Sequence, residues 1–478
     1  MGNIHIVSTL RNKQNQKKTI FKKSSTVFFA ILNYEKKIDT EISLLNHFLL
    51  KRNLKDVVAK VEIRSLRGYK IKSLELNINK PKNYIFRLSD YFKINLTCSI
   101  YIFFESKHNL AVPFCAVVSA IKTSNSVCAI HTYGRRLENQ ELSSNIDLPK
   151  TIESGWTLRD TNLVKSFAVL HGGKFKLKLN IKIQCRNKYG KTIQCKFQQK
   201  INPFSTLLVI PQNYFKNLIS HLDGENGDAK IFIDGLSGVF PRMMCGNFLI
   251  EDNEGIENSK EMQFTHSNFD FSEIEQPDSN GKIGFINNPK LPQSHSVIYP
   301  VKTRKKILVN KKKYKNNSRY QFKTKSMNST IVKSDSCLPS RLVAGTIGKW
   351  KKNILESECS TGIFIEDYLK VPCHWHWGLL KPGFDKGRSF ISIFLNNFGK
   401  NTVQRRKIKF QIYSEFGKLI EKNLYIKNNT KIDAMKYLPV KSQNYNLWYV
   451  FTGEKLEDLN IYSTFFPEKK SGFVEHSF

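Results

Sequence analysis

The sequence predicts an all-β chain of three tandem antiparallel β-sandwich domains of immunoglobulin-like type, with a basic linker before the third. An alternating apolar and polar strand, ending five residues before a glycine, occurs three times. Predicted strands follow one another at hairpin-sized spacing without regular helical periodicity, which favours stacked antiparallel sheets. The length of 478 residues fits about three domains of roughly 100 to 200 residues each. The three strands are residues 59–63, 181–185 and 408–412, and the glycines are Gly68, Gly190 and Gly417.

Each copy is predicted to contain the same elements in the same order. A continuous run of β-branched and aromatic residues, typical of a buried strand, opens the copies at residues 26–33, 166–171 and 389–396. The alternating strand follows, and then the glycine, which tolerates the positive φ of a tight hairpin turn. A penultimate strand is predicted at residues 99–103, 229–233 and 447–451. The first copy also has an insertion, residues 42–58, with the spacing of a short helix.

These elements set the predicted domain boundaries. A basic N-terminal tail covers residues 1–19, and the three sandwich repeats cover residues 20–140, 150–275 and 335–478. Residues 276–334 show little apolar periodicity, so we predict a basic linker or extended arm there.

The composition is that of a globular, strongly basic protein. Lys and Arg number 76 against 40 Asp and Glu, which gives a formal net charge of +36. Such a field attracts nucleic acid, acidic polysaccharide or anionic lipid headgroups. Because Lys, Asn and Ile are abundant along the whole chain, a compositional bias explains the same charge, and charge alone names no partner.

Cysteine usage and hydropathy point to a cytoplasmic protein. The nine cysteines are odd in number and include no C-x-x-C pair, which disfavours a zinc knuckle and favours a reducing compartment. The basic N-terminus precedes an apolar run, residues 27–32, that is short and lacks a small-residue cleavage site. No stretch reaches the ~18 apolar residues of a transmembrane helix.

The most basic segment is residues 302–325, in which eleven of 24 residues are Lys or Arg and none is acidic. Aromatic residues alternate with these cations, as in segments that bind polyanions through charge and ring stacking. A solvated linker is the alternative interpretation. The candidate polyanion-binding residues are Lys305, Lys306, Lys311, Lys312, Lys313, Tyr314 and Arg319.

A second motif, Cys373-His374-Trp375-His376-Trp377, suggests metal binding. Residues two apart share one face of a strand, so His374 and His376 would present two imidazoles side by side. His476, or Glu475 beside it, is the predicted third ligand, because the last strand of a sandwich can lie near an early one. The alternative is that the paired His and Trp side chains serve packing and hydrogen bonding. Apart from this metal ion, the sequence predicts no cofactor.

Each copy ends on a histidine followed by a hydroxyl residue and, within three positions, an aromatic residue. The histidines are His131, His266 and His476. One interpretation is structural, because a polar pair at a strand end satisfies backbone groups. The other is that each domain presents one weak polar contact, and the three act together.

Nucleotide-binding and hydrolase motifs are missing: the sequence has no P-loop, no G-x-G-x-x-G, no G-x-S-x-G and no H-E-x-x-H. We therefore expect a non-catalytic binding or scaffold protein that contacts an anionic polymer, either polysaccharide or nucleic acid. The alternative is a metal-binding protein or metal-dependent enzyme centred on His374 and His376. Self-association through exposed sheet edges is a third hypothesis.

Overall fold

A computed structural model describes residues 23–108, 110, 116–131, 155–159, 163–233, 243–250, 255–265, 271–315, 317–340, 342–351, 353–396, 398 and 405–478. Nearly all of their regular structure is β-strand in antiparallel sheets, which confirms the all-β prediction. They belong to two compact units, an N-terminal unit within Ile20–Asp270 and a C-terminal unit within Phe271–Phe478. None of the described helices has the length and apolar character needed to cross a membrane.

The N-terminal unit contains two groups of eight strands. The first group is β1 (Lys23–Leu32), β2 (Asp39–Leu45), β3 (Val58–Ser65), β4 (Lys70–Asn77), β5 (Asn83–Arg87), β6 (Leu96–Glu105), β7 (Val117–Lys122) and β8 (Val127–His131). The second group is β9 (Gly155–Leu158), β10 (Val164–His171), β11 (Leu177–Arg186), β12 (Thr192–Ile201), β13 (Thr206–Val209), β14 (Gly227–Ile233), β15 (Met244–Leu249) and β16 (Glu261–Thr265). Short helices lie at His47–Arg52, Leu88–Tyr91 and Leu218–Leu222, and 3-10 turns at Pro211–Asn213 and Ile256–Asn258.

Both groups fold with the same topology. The first forms sheets ordered β1-β6-β3-β4 and β5-β2-β7-β8, and the second forms β9-β14-β11-β12 and β13-β10-β15-β16. In each group the two sheets enclose a shared core of aliphatic and aromatic side chains, such as Ile63 with Val117, and Ile183 with Ala168. The two groups meet at their last strands, where the Ser126 hydroxyl donates to the Met262 carbonyl (3.0 Å) and accepts from the Met262 N–H (2.9 Å).

The C-terminal unit also contains two groups of strands. The first is β17 (Phe271–Glu275), β18 (Ile283–Asn288), β19 (His295–Ile298), β20 (Val301–Lys302), β21 (Ile307–Val309), β22 (Lys312–Lys313), β23 (Tyr320–Lys323), β24 (Asn328–Ser334), β25 (Val343–Lys349), β26 (Glu356–Gly362) and β27 (Phe364–Ile365). The second is β28 (Trp375–Lys381), β29 (Gly387–Leu395), β30 (Arg406–Ser414), β31 (Gly417–Ile426), β32 (Thr430–Asp433), β33 (Leu447–Thr452), β34 (Leu459–Pro467) and β35 (Phe473–His476). The 3-10 turns are Glu366–Lys370, Ala434–Tyr437 and Val440–Asn444.

The topology of the N-terminal unit recurs here. The second group forms sheets β28-β33-β30-β31 and β32-β29-β34-β35. The first forms β22-β21-β24-β18-β27 and β23-β19-β25-β26, and β17 and β20 make a separate parallel pair. Each group again encloses its own core. Four sheet pairs among the described residues therefore share one strand order, to which β27 adds a fifth strand in one sheet.

The sheet pair that contains β18 and β19, hereafter the fourth sheet pair, shows that the linker prediction was wrong. Seven strands, β18 to β24, lie within residues 276–334, where the sequence predicted a linker or extended arm. Their apolar signal is weak for a physical reason: several have only two to four residues, and the inward row of β24 is Thr330, Val332 and Ser334. Hydroxyl residues on the buried face hide the alternation by which a half-buried strand is recognised.

The strand that opens the first copy also differs from the prediction. The predicted strand at residues 26–33 lies in β1, which pairs with β6. The runs matched to it in the other copies lie in β10 and β29, which belong to the opposite sheet of their pairs. The topological equivalent in the first group is β2, whose last four residues overlap the predicted insertion. A continuous apolar run marks a buried strand but does not tell which sheet it joins.

Other local predictions are confirmed. Gly68, Gly190 and Gly417 all have positive φ (94°, 84° and 126°) and connect the alternating strand to the next one. The predicted short helix is present at His47–Arg52. The Asn46 side chain caps it by accepting from the Leu49 N–H (3.1 Å), and Asn53 in the left-handed region ends it.

Candidate polyanion-binding groove

The basic segment is a tight hairpin in the C-terminal unit. Strands β21 and β22 pair through Val309 and Lys312 and are joined by the two residues Asn310 and Lys311. Both have positive φ (47° and 68°), as in the turns whose twist matches that of a two-stranded hairpin. Ile307 and Val309 are buried, whereas Lys311, Lys312 and Lys313 are exposed. The alternation of β21 therefore holds Ile307 and Val309 inward, while the turn and β22 leave the three lysines at the surface.

An open groove of about 780 Å³ lies beside this hairpin. Five cationic side chains line it together with one hydroxyl and one buried tyrosine. The lining residues are Thr303, Arg304, Lys305, Lys306, Lys313, Tyr314 and Lys315.

Two of the five cations have carboxylate partners. Arg304 Nε lies 3.1 Å from Glu275 Oε2, and Lys305 Nζ lies 3.0 Å from Asp278 Oδ2. The Asp278 carboxylate raises the pKa of Lys305 above its ordinary value, so that lysine stays charged. Both pairs are accessible to solvent, where an ion pair adds little stability and exchanges readily for another anion.

The other three cations of the groove, Lys306, Lys313 and Lys315, are exposed and have no carboxylate within 4 Å among the described residues. Three uncompensated charges facing one concave surface produce a local positive potential. This is the arrangement that an anionic chain neutralises on binding, with release of its counterions.

The aromatic residues of the segment do not stack in the groove. Tyr314 is buried, with 4% of its surface exposed, and its hydroxyl donates to the Ser318 carbonyl (2.8 Å). Tyr320 and Phe322 belong to β23 in the opposite sheet and pack against the same core. The described groove therefore offers charge and hydrogen-bond donors rather than a ring on which a base could stack.

The structure brings together only some of the predicted polyanion residues. Lys305, Lys306, Lys313 and Tyr314 line the groove, while Lys311 and Lys312 lie at the hairpin tip outside it. Arg319 is half-buried, with its guanidinium 5.3 Å from the centre of the Tyr299 ring. The sequence interpretation missed Thr303, Arg304 and Lys315 as individual site residues, although they lie in the basic run.

The predicted metal ligands His374 and His376 have different hydrogen-bond partners. His374 is exposed just before β28, with Nδ1 3.3 Å from the Gly453 carbonyl oxygen. His376 Nδ1 lies 3.1 Å from the Ser477 hydroxyl, and its Nε2 lies 3.1 Å from the Leu456 carbonyl oxygen. Both ring nitrogens of His376 thus have hydrogen-bond partners from the protein itself.

The predicted third ligand, His476, ends β35 in the sheet opposite β28, and its Nδ1–H donates to the Ser477 carbonyl (2.9 Å). Among the described His, Cys, Asp and Glu residues, neither His374 nor His376 belongs to a group of three whose ligand atoms lie close together. The geometry gives these imidazoles structural hydrogen bonds, and metal binding here stays a prediction.

The histidines that end the repeats lie at matching positions. His131 is the last residue of β8 and His476 is the last residue of β35, each the final strand of its group. Both are buried. His266 lies outside the described residues.

Comparisons with known proteins name no family for this chain. No family model matches the sequence, and no curated protein matches it. One solved structure to which the chain is similar is a calcium-binding mutant of Bacteroides uniformis beta-glucuronidase 2, at 7% identity and a TM-score of 0.14. That alignment covers 61% of this chain, which spans about a third (31%) of the glucuronidase chain. A likeness this distant carries no argument about fold or function.

Proposed function

We propose that this chain is a non-catalytic binding protein that holds an anionic polymer in the groove beside the β21–β22 hairpin. One observation carries the proposal: Lys306, Lys313 and Lys315 face a single open groove without carboxylate partners among the described residues. Concentrated, uncompensated cations on a rigid hairpin are suited to a chain of repeated negative charges.

The scaffold for this function is proposed to be a series of immunoglobulin-like sandwich domains. In support, each sheet pair consists of two sheets, of four or five strands each, that enclose one core. All strands within these sheets pair antiparallel, as in sandwich domains. The sequence repeats account for three such domains, and the sheet pair that contains β18 and β19 adds a fourth. A sandwich domain of this kind presents its own hairpins and loops to partners from a rigid scaffold.

The groove favours a polymer recognised through its backbone charge. Tyr314 is buried, and Tyr320 and Phe322 pack against the core, so single-stranded bases would find no exposed ring of this segment in the groove. Lysine ammonium groups bind sulfate, carboxylate or phosphate as point charges. We therefore expect a sulfated or carboxylated polysaccharide, or duplex nucleic acid, to bind at least as tightly as a single strand.

The test compares three probes on the full chain: a heparin oligosaccharide, a DNA duplex and single-stranded DNA of equal charge. Fluorescence anisotropy gives the dissociation constant for each. Replacing the three unpaired lysines, Lys306→Gln, Lys313→Gln and Lys315→Gln together, is expected to weaken binding of the preferred probe at least tenfold.

The matched control neutralises three exposed lysines elsewhere in the same unit, Lys427, Lys436 and Lys441, none of which lines the groove. It removes the same net charge. Equal losses in both variants would mean that total charge, and not the groove, holds the polymer, and the proposal would be wrong.

A second candidate function is self-association through a sheet edge. Strand β12 is ten residues long and ends the order of its sheet among the described strands, pairing only with β11. Its outer edge leaves backbone groups open to another strand, although Lys196 and Lys200 oppose such pairing by their charge. Sedimentation velocity tests it: concentration-dependent dimers that Phe197→Pro abolishes would support edge pairing, and a monomer at all concentrations would exclude it.

A further inference from the structure

The N-terminal unit has a small pocket on the outer face of the β1-β6-β3-β4 sheet. Its floor comes from the first three residues of β1 and from alternate residues of β3 and β6, and the loop between β12 and β13 covers one side through Phe204. The volume is about 220 Å³. This is below the roughly 300 to 1,000 Å³ of pockets for drug-sized molecules, so the matching ligand is the size of a single sugar ring.

A buried carboxylate with one available oxygen lies in this pocket. Glu62 is 6% exposed, and Arg64 Nε donates to its Oε2 at 3.0 Å, which holds the carboxylate in place. The nearest cations to Oε1 are the ammonium groups of Lys60 at 3.8 Å and Lys70 at 3.9 Å, beyond hydrogen-bond distance. Oε1 can therefore accept a hydrogen bond from a ligand hydroxyl.

A buried hydroxyl in the same pocket lacks a partner. Ser25 is 2% exposed, lines the pocket, and its Oγ makes no hydrogen bond to the described residues. A buried unsatisfied polar atom is costly in free energy and is rare in native proteins. A polar ligand in the pocket would satisfy it, which is an observation independent of Glu62.

An aromatic ring is held over the pocket at a conformational cost. Phe204 has a φ of 56°, in the left-handed region that a bulky residue seldom adopts. Its N–H donates to the Gly173 carbonyl (2.7 Å), its carbonyl accepts from the Tyr101 hydroxyl (3.0 Å), and Arg64 lies 4.1 Å from the ring centre. Strained residues held by such a network concentrate at ligand sites.

The charge of the lining decides the class of ligand. Four cations, Lys23, Lys60, Arg64 and Lys174, face two carboxylates, Glu62 and Glu105. Lys174 is exposed and forms no ion pair with a described residue. The surplus of positive charge favours a ligand that carries an anionic group as well as hydroxyls.

We propose that this pocket binds one acidic sugar residue, such as a uronic acid. The C–H face of the pyranose packs on the Phe204 ring, a ring hydroxyl donates to Glu62 Oε1, and a second hydroxyl pairs with Ser25 Oγ. The carboxylate meets the ammonium groups of Lys60 and Lys174. The pocket is independent of the basic groove, so either site can fail without the other.

The experiment titrates the full chain with galacturonate, with its neutral counterpart galactose, and with acetate, by isothermal calorimetry or ligand-observed NMR. Galacturonate is expected to bind saturably, at least tenfold more tightly than galactose or acetate. No saturable binding of galacturonate overturns the site. Equal binding of galactose overturns the assigned role of charge, and equal binding of acetate overturns the role of the ring.

Two variants locate the binding. Ser25→Ala removes the unpaired hydroxyl, so binding should weaken about tenfold while the melting temperature does not fall. Phe204→Gly removes the ring at a φ that glycine adopts freely, and binding should be lost. Phe175→Ala, at an exposed ring in the neighbouring turn that does not line the pocket, is the control and should bind as the wild type does. Unchanged binding in both Ser25→Ala and Phe204→Gly contradicts the proposal.

Discussion

The imidazole Nδ1 of His171 lies 3.1 Å from the hydroxyl of Thr206, inside the N-terminal unit. The Ser99 hydroxyl completes the cluster, 2.6 Å from the Thr206 hydroxyl. Complete burial lowers the pKa of His171 from its ordinary value near 6.5 to about 3. His171 Nε2 has no hydrogen-bond partner among the described residues, so protonation would bury an unpaired N–H.

This relationship predicts an acid-sensitive N-terminal unit. The unfolded chain binds a proton at His171 below pH 6.5, whereas the folded chain does not until about pH 3, so stability falls as the pH falls through this window. At pH 5 the loss from His171 is about 2 kcal/mol. Hydrogen–deuterium exchange of β10 peptides at pH 7.5 and pH 5, corrected for intrinsic rates, measures it. The variant His171→Gln should reduce the difference between the two pH values, and an unchanged difference would show that another group controls it.

Replacing Gly68 or Gly190 by alanine is expected to destabilise the fold by different amounts. Gly68→Ala places a methyl group 2.2 Å from the Pro203 carbonyl oxygen at a φ of 94°, so it should destabilise the N-terminal unit by about 2 to 4 kcal/mol. Gly190→Ala has a similar φ of 84° with open space around it, so the backbone cost of about 1 kcal/mol should stand alone. Urea midpoints of the two variants compare them. Equal shifts would mean that the loop at Pro203 does not pack against this turn.

The fourth sheet pair predicts a buried core where a linker was expected. Ile307 is 1% exposed and Ile331 is 43% exposed, although they lie on the adjacent paired strands β21 and β24. Ile307→Ala should cost about 2 to 5 kcal/mol in the free energy of unfolding of this group. Ile331→Ala should change it by less than about 0.5 kcal/mol. Limited proteolysis provides the readout, since only Ile307→Ala should expose residues 276–334 to cleavage. Rapid cleavage of the wild type there would contradict the folded group.

The sequence could predict those features that depend on local periodicity. The strands before Gly68, Gly190 and Gly417 alternate strictly and end in positive-φ turns, so they were recognisable. The strands of residues 276–334 were not, because in β24 Thr330 and Ser334 occupy buried positions while Ile331 occupies an exposed one. The sheet that a buried run joins depends on long-range pairing, so the likeness of the β1 sequence to β10 and β29 does not place it in the corresponding sheet.

For the candidate sites too, the sequence could predict local features but not those that depend on tertiary contacts. The basic run predicted a positively charged surface, and the hairpin turn at Asn310 and Lys311 determines which lysines face the groove and which lie at its tip. The burial of Tyr314 depends on hydrogen bonds to a later loop, which no local pattern reveals. The pocket on the first sheet was not predicted, because Ser25, Glu62 and Phe204 come from three distant segments whose approach only the tertiary fold determines.

The most direct test of the central claim is the salt dependence of polymer binding. For a DNA duplex, the logarithm of the association constant should fall linearly with the logarithm of salt concentration, with a slope of about −0.9 for each phosphate contact. Replacement of Lys306, Lys313 and Lys315 by Gln should make the slope shallower by about 2 to 3 units. The Lys427, Lys436 and Lys441 control should keep the wild-type slope. A flat dependence in the wild type, or identical slopes in the wild type and the groove variant, would contradict polyanion binding at this groove.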